Sequence, residues 1–178
     1  PKLSFVGVVD ADLGLGNGDL RAAERTYQML SQVAGRAGRE TSGGRALLQT
    51  HMPDHPVLQA LVSGDRDAFL EREADAREQA AMPPFGRLGS IIVSATDQKE
   101  GLAFVMELAS KTPHHEQVRV LGPAPAPMSR IRDRYRFRFL LKASRQAPLQ
   151  AFISQWLNTA PRRGSIRISV DIDPYTFL

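Results

Sequence analysis

Arg134-Tyr135-Arg136-Phe137-Arg138-Phe139-Leu140-Leu141-Lys142-Ala143 is the stretch on which the fold of this chain turns. Arginine and aromatic residues alternate along it, and a period of two belongs to a β-strand, whose successive side chains leave opposite faces. Extended back to Arg132, the alternation sends Arg132, Arg134, Arg136 and Arg138 to one face and Tyr135, Phe137 and Phe139 to the other, with about 6.7 Å between side chains on one face. Leu140 and Leu141 prolong the apolar run, and Phe152 and Trp156 downstream supply partners for the aromatic face. That face reads as core, and the guanidinium face as exterior.

Working outward, a strand is expected over Leu88–Ala95 (LGSIIVSA), a helix over Gln98–Ser110 and a second strand over Val118–Leu121. Gly122–Pro127 (GPAPAP) reads as a rigid, polyproline-like connection, followed by the 134–143 strand, a helix over Pro148–Thr159 and a last strand over Ile166–Ile172. The order βαββαβ predicts a ferredoxin-like, split βαβ unit, one sheet face packed on two helices and the other open.

Upstream of Pro83-Pro84 the pattern is different. Leu3–Asp10 (LSFVGVVD) reads as a buried strand of an α/β unit, Gly14–Gly18 as a loop, and Arg21–Val33 as a helix that Asp19 caps and Gly35 stops. Arg45–Thr50 reads as a second short strand, His55–Val62 as a helix opened by Asp54 and Pro56, and Asp67–Ala81 as a charged amphipathic helix. The double proline sets the expected boundary: residues 1–82 form one domain and 83–178 another.

The 178 residues, 42% hydrophobic and 24% charged, suffice for one ordinary domain or two small ones and argue against disorder. Cysteine is absent, which removes disulfides, thiol nucleophiles and zinc ribbons. No run approaches the ~18 apolar residues of a membrane span, so a soluble, cytoplasmic protein without membrane partners is expected, and Pro1 reads as an excision point. The net charge of +4 is unevenly divided: residues 1–86 carry 9 Lys and Arg against 12 Asp and Glu, residues 87–178 carry 14 against 7. The basic half invites an acidic partner or nucleic acid.

Several motifs fail. Gly14-Leu15-Gly16-Asn17-Gly18 has its third glycine one position early for a dinucleotide loop, and no Gly-Lys-Ser/Thr follows. Asp10, Asp12 and Gly14 begin like a calcium loop but Gly14 stands at its fifth position and Arg21 at its twelfth. His51 and His55 have Pro53 between them and no further ligand type at metal spacing, so no metal site is expected. Asp171 and Asp173 read as capping the turn at Pro174.

Gln32-Val33-Ala34-Gly35-Arg36-Ala37-Gly38-Arg39 is of another kind. Two guanidinium forks three residues apart, each preceded by glycine, suit the charge of a transferring γ-phosphoryl group, and Gln32 one turn earlier can hold a water or phosphate oxygen. The bland alternative is a glycine-terminated helix with two solvated arginines.

The full pattern Q-x-x-G-R-x-G-R is that of motif VI in superfamily 2 helicases. With Asp10-Ala11-Asp12, Asp19 to Thr26 (DLRAAERT), Gln49-Thr50, Pro53, His55-Pro56, Pro83-Pro84-Phe85, Leu121 to Pro127, Arg134-Tyr135-Arg136 and Asp171 to Pro174, the chain resembles the C-terminal end of the PriA (primosomal protein N′) family of bacterial replication-restart DNA helicases. The resemblance implies that residues 1–82 are the distal part of a RecA-like helicase lobe 2 and that residues 83–178 are the family's C-terminal DNA- and partner-binding domain. It implies an ATP-dependent 3′ to 5′ helicase as the whole protein, acting at stalled forks in primosome assembly, with ATP, Mg and Zn sites completed by sequence upstream. This chain alone is expected to hold no cofactor and to lack ATPase activity. Gln32, Arg36 and Arg39, with Gly35 and Gly38, would form the lobe 2 side of the nucleotide site. Arg145 and Gln150 fall near the pocket for the acidic tail of the single-stranded-DNA-binding protein, one residue out of the expected spacing. Other primosome proteins are further expected partners.

From the residues themselves, Arg130, Arg132, Arg134, Arg136, Arg138 and Lys142 form the candidate surface for forked and single-stranded DNA. Like charges along a strand repel, and a phosphate backbone relieves that repulsion. Two alternatives stay open: a stand-alone basic nucleic-acid module in which QVAGRAGR is only a helix end, and a protein-docking domain whose arginines meet an acidic partner.

Overall fold

The structure, a computed structural model, describes residues 4–15, 19–37, 44–161 and 163–174. The chain divides into two compact units, Pro1–Ala74 and Asp75–Leu178. The division falls inside a helix, ahead of the Pro83-Pro84 boundary read from the sequence. The segment before the prolines belongs with the second unit: the Met82 N–H donates to the Arg77 carbonyl, and the Phe85 and Gly86 N–H groups donate back to the Met82 carbonyl, at 2.8 to 3.0 Å.

In the first unit, β1 (Phe5–Val8) pairs in parallel with β2 (Arg45–Leu48). Between them comes α1 (Ala22–Ala34), and α2 (Pro56–Ser63) and α3 (Arg66–Gln79) come after β2. Its apolar contacts form two small clusters. Tyr27, Val57, Ala60 and Phe69 make one, with Tyr27 and Phe69 stacked at 4.8 Å; Ala11, Leu30 and Leu58 make the other, closed by Val8 and Leu48. The strands are shorter than expected, and β1 is not the buried strand that its apolar run predicts, since Phe5 is 57% exposed; Leu47 of β2 is likewise 61% exposed. A parallel pair needs cover on both faces, and here only the Val8 and Leu48 side is packed, by Leu30 of α1 and Leu58 of α2.

Caps also differ from expectation. The His55 Nδ1, rather than Asp54, accepts the Val57 N–H at the start of α2. Asp19 accepts the Arg21 N–H and an Arg25 Nη1 bond at 2.8 Å, whereas Arg21, the residue at the cap of α1, makes no side-chain cap bond. Helix α3 is charged on most sides and buries only Phe69, so its expected amphipathic face is a single residue.

The second unit contains β3 (Gly86–Ala95), α4 (Gln98–Ser110), β4 (Val118–Ile131), β5 (Arg134–Ser144), α5 (Leu149–Asn158) and β6 (Arg167–Ile172). The βαββαβ order is as expected, and the sheet order β4-β5-β3-β6 is antiparallel at every pairing. This is a mixed α+β domain. Ile91, Val93, Phe137, Phe139 and Leu141 pack with Phe104 and Leu108 of α4 and with Leu149, Phe152 and Trp156 of α5. At Gly101 an added Cβ would lie 2.6 Å from the Phe137 ring and 2.9 Å from the Ala95 Cβ, so glycine there lets α4 sit down on the sheet. The fully buried Trp156 indole N–H donates to the Leu108 carbonyl at 2.9 Å and meets Phe139 edge-on.

Gly122–Pro127 is not a connection between strands. It lies inside β4, paired with β5 through Ala124↔Arg138 and Pro125↔Phe137 across two register shifts. Strand β4 is at the sheet edge, where proline's missing N–H faces no neighbour, and Gly122 at φ 109° supplies the backbone angle of the first irregularity.

Candidate nucleic-acid interface

Strand β5 realises the alternation. Phe137, Phe139 and Leu141 are buried, while Arg134, Arg136, Arg138 and Lys142 stand on the side away from the helices and are partly exposed. Arg132 does not join this row. Together with Asp133 it forms the two-residue turn between β4 and β5, at φ 47° and 57°. A two-residue hairpin of this hand needs positive φ at both positions, so the alternation stops at Arg134. Arg130 is on the other side as well: it pairs with Tyr135, holds its guanidinium 5.3 Å from that ring and bonds Asp133 at 2.9 Å.

The row is not uniform. Arg134 is engaged by the fold, its Nη2 donating to the carbonyls of Ser94, at 2.8 Å, and Ser165. Arg136 makes one longer bond, to the Met128 carbonyl at 3.3 Å. The register brings two further cations to the same face, Arg119 directly opposite Lys142 and Arg167 opposite Ser94, which is itself opposite Arg136. Neither was singled out from the sequence, because neither belongs to the alternating arginine run and only cross-strand pairing reveals the grouping.

At one end of the sheet, Asp173 receives Arg87 through Nε and Nη2 at 3.0 and 2.9 Å and the Leu88 N–H at 2.9 Å. Asp173 therefore clamps β6 to β3 beyond its role at the turn, whereas Asp171 is exposed. Arg87 also donates to Gln150 Oε1 at 3.3 Å. Gln150 is thus tied to the Arg87–Asp173 pair, and Arg145 is exposed in the turn before α5.

In the first unit, Gln32 and Arg36 are exposed at the C-terminal end of α1. Gly35 keeps a right-handed φ of −67°, and the Arg36 and Ala37 N–H groups bond three residues back, tightening the last turn. Gln32 lines a cleft of about 430 Å³ with Tyr27, Arg66 and Phe69. Gly38 and Arg39 lie outside the described residues. Asp12, rejected as a calcium ligand, joins the strand ends: its carboxylate accepts from the Thr50 hydroxyl and, at 2.7 Å, from the His51 N–H. Those two bonds hold its pKa below the ordinary value. Glu107 is likewise lowered, first by the Lys111 ammonium and then by Arg163. Among the described residues there is no group of three potential metal ligands, and no buried side-chain polar atom lacks a partner.

Residues 78–175 match the model of the primosomal protein N C-terminal domain family. The chain belongs to that family. Its curated relatives include the replication restart protein PriA of Rickettsia conorii, 40% identical over 177 residues, 99% of this chain and 27% of the relative. The PriA proteins of Synechocystis sp. and Bacillus subtilis are 34% and 32% identical, over 97% and 100% of this chain and 21% and 23% of their own lengths. The chain thus spans about a quarter of the PriA relatives it matches. The matched C-terminal domain covers all of β3 to β6, so the basic sheet face belongs to the PriA C-terminal domain. No described helix is long and apolar enough to cross a membrane.

Proposed function

We propose that this chain is the C-terminal part of an ATP-dependent 3′ to 5′ DNA helicase that restarts replication at stalled forks in the cytoplasm. Residues 1–82 act as the distal part of a RecA-like lobe 2, and residues 83–178 as a ferredoxin-like domain that contacts DNA. The observation that carries the DNA assignment is the sheet face away from the helices, where Arg136, Arg138 and Lys142 share one strand face. Like charges so arranged are compensated by a polyanion at little structural cost.

The exposed Gln32 and Arg36, one helical turn apart, support the nucleotide side of the reading. Together with Arg39, Gly35 and Gly38 of the same motif, they would reach a γ-phosphate that other parts of the full-length protein hold together with Mg; Zn belongs to those parts as well. When bound, ATP supplies the phosphoryl transfer that drives the motor, and the arginines stabilise its charge. Arg145 and Gln150 are the proposed contacts for the tail of the single-stranded-DNA-binding protein, and other primosome proteins are further partners.

Binding of the chain to fluorescent single-stranded, duplex and forked DNA over a salt series tests the DNA assignment. The triple variant Arg136→Ala, Arg138→Ala, Lys142→Ala is expected to lower the slope of log K against log salt by about 2 to 3. An unchanged slope moves the domain to the protein-docking class. In the full-length protein, Arg36→Ala is expected to lower DNA-stimulated ATP hydrolysis by roughly 10³-fold.

A further inference from the structure

We infer that the outer edge of β6 pairs antiparallel with β6 of a second copy of this chain, in the register centred on Ser169. The pairing is independent of the DNA contact proposed above and uses a different part of the sheet.

The two edges of the β4-β5-β3-β6 sheet are built differently. Strand β4 carries Pro123, Pro125 and Pro127, with Gly122 at φ 109° and two register shifts, all of which discourage a further strand. Strand β6 holds an unbroken register with β3 over its six residues and contains neither proline nor glycine. The Asp173 N–H donates to the Leu88 carbonyl at 2.7 Å. Bonding in an antiparallel pair alternates, so Arg167, Ser169 and Asp171 turn their backbone groups toward β3, while Ile168 and Val170 turn theirs outward. The Ile168 and Val170 side chains stand on the helix face, opposite the fully buried Val93 and Ile91. They are nevertheless 37% and 41% exposed, and beside them opens a cleft of about 470 Å³ lined by Phe104, Leu157, Ile166 and Ile168. The edge thus offers outward backbone groups and an apolar stripe at the same residues.

The order of charges selects a second copy as the occupant. Arg167-Ile168-Ser169-Val170-Asp171 is its own complement when turned about Ser169. Arg167 then faces the partner's Asp171, Ile168 faces the partner's Val170, and the two Ser169 residues face each other, so both heterotypic pairs form twice. Ile168 and Val170, whose backbone groups point outward, become the hydrogen-bonded pair, and side-chain register and backbone bonding agree. A shift of two residues, the smallest that keeps those bonds, sets Arg167 against Asp173, which already holds Arg87, or against Ser169. Among the described residues neither Arg167 nor Asp171 has an ion-pair partner in its own chain.

Sedimentation equilibrium of the 178-residue chain without nucleic acid tests the pairing. A two-strand contact belongs to the small-interface class, so half-dimerisation is expected near about 100 µM. Arg167→Asp, which sets like charges across the axis twice, should weaken the dimer by about tenfold. Adding Asp171→Arg to the same chain should restore it, since the swap keeps the order self-complementary. The chain has no cysteine, and the two Ser169 Cα atoms would lie about 4.5 Å apart, within disulfide reach. With glutathione disulfide as oxidant, Ser169→Cys should therefore link two copies, whereas Asp171→Cys, facing Arg167, should not. Each variant is checked for an unchanged thermal transition. A wild-type monomer at every concentration, no rescue by the charge swap, or equal linking of the two cysteine variants overturns the inference. A wild-type monomer whose Ile168 and Val170 amides slow in exchange only when an extended peptide of other sequence is added assigns the edge to a different chain, and overturns it as well.

Discussion

The two sheets of this chain bury their side chains to very different degrees. The four antiparallel strands of the second unit press one face onto two helices, and Ile91, Val93, Phe139, Leu141 and Trp156 are completely covered. The two parallel strands of the first unit leave Phe5 and Leu47 57% and 61% exposed. Hairpin and split βαβ connections bring a whole core together within about a hundred residues, whereas a parallel pair is stable only inside a larger sheet with cover on both sides. The difference teaches that the second unit carries its core within itself, whereas the first leaves one face of its short sheet uncovered.

The largest effect should come from separating the units. Residues 75–178 alone are expected to unfold cooperatively in urea, while residues 1–74 alone should bind a hydrophobic dye and melt without a sharp transition. Cooperative unfolding of residues 1–74 would break the comparison. Next in size are core truncations. Trp156→Ala removes a fully buried ring and its bond to the Leu108 carbonyl, and should cost the second unit about 3 to 5 kcal/mol. Phe69→Ala, in a cluster of four residues, should cost the first unit about 3 kcal/mol, and amide exchange should localise each loss to its own unit.

A smaller effect separates the structural arginine of β5 from its neighbours. Arg134→Ala loses the bonds to the Ser94 and Ser165 carbonyls and should cost about 1 to 2 kcal/mol with the DNA salt slope unchanged. Lys142→Ala should do the reverse, lowering the slope by about one with little change in Tm. If both variants behave alike, the division of that face is wrong.

The smallest effect is that of pH. Asp12 and Glu107 are held below their ordinary values of 3.8 and 4.5. A depressed folded-state pKa means that the stabilisation is whole above the unfolded value and is lost as pH falls through the folded one. Asp12→Asn should therefore flatten the acid loss of stability below about pH 4 in the first unit, and Glu107→Gln in the second, with curves near wild type in shape at pH 7. Urea midpoints at pH 3 and pH 6 check this.

Local signals in the sequence were reliable where a single element decides its own limits. The α4 boundaries, Gln98 to Ser110, follow from apolar spacing and from Asp97, whose side chain accepts the Glu100 N–H. The aromatic face of β5 followed from alternation alone. Alternation could not show that Arg132 leaves the strand, because a hairpin turn is set by the partner strand. Proline content concealed the continuation of β4, since only position at a sheet edge makes Pro123 and Pro125 tolerable. Arg119 and Arg167 were invisible because each joins the basic face only through a cross-strand partner, Lys142 on β5 and Ser94 on β3.

By itself the sequence determined the βαββαβ order, the inward aromatic stripe, the basic character of the second half and the Q-x-x-G-R-x-G-R run at the end of α1. Those are short-range properties, carried by the period of side chains and by charge content. Tertiary structure decided which cations share a surface, that Arg134 serves the fold, that Asp173 clamps β6 to β3, and that β1 and β2 stay exposed. Each of these depends on strand register and on which faces find cover, and residues distant along the chain set both.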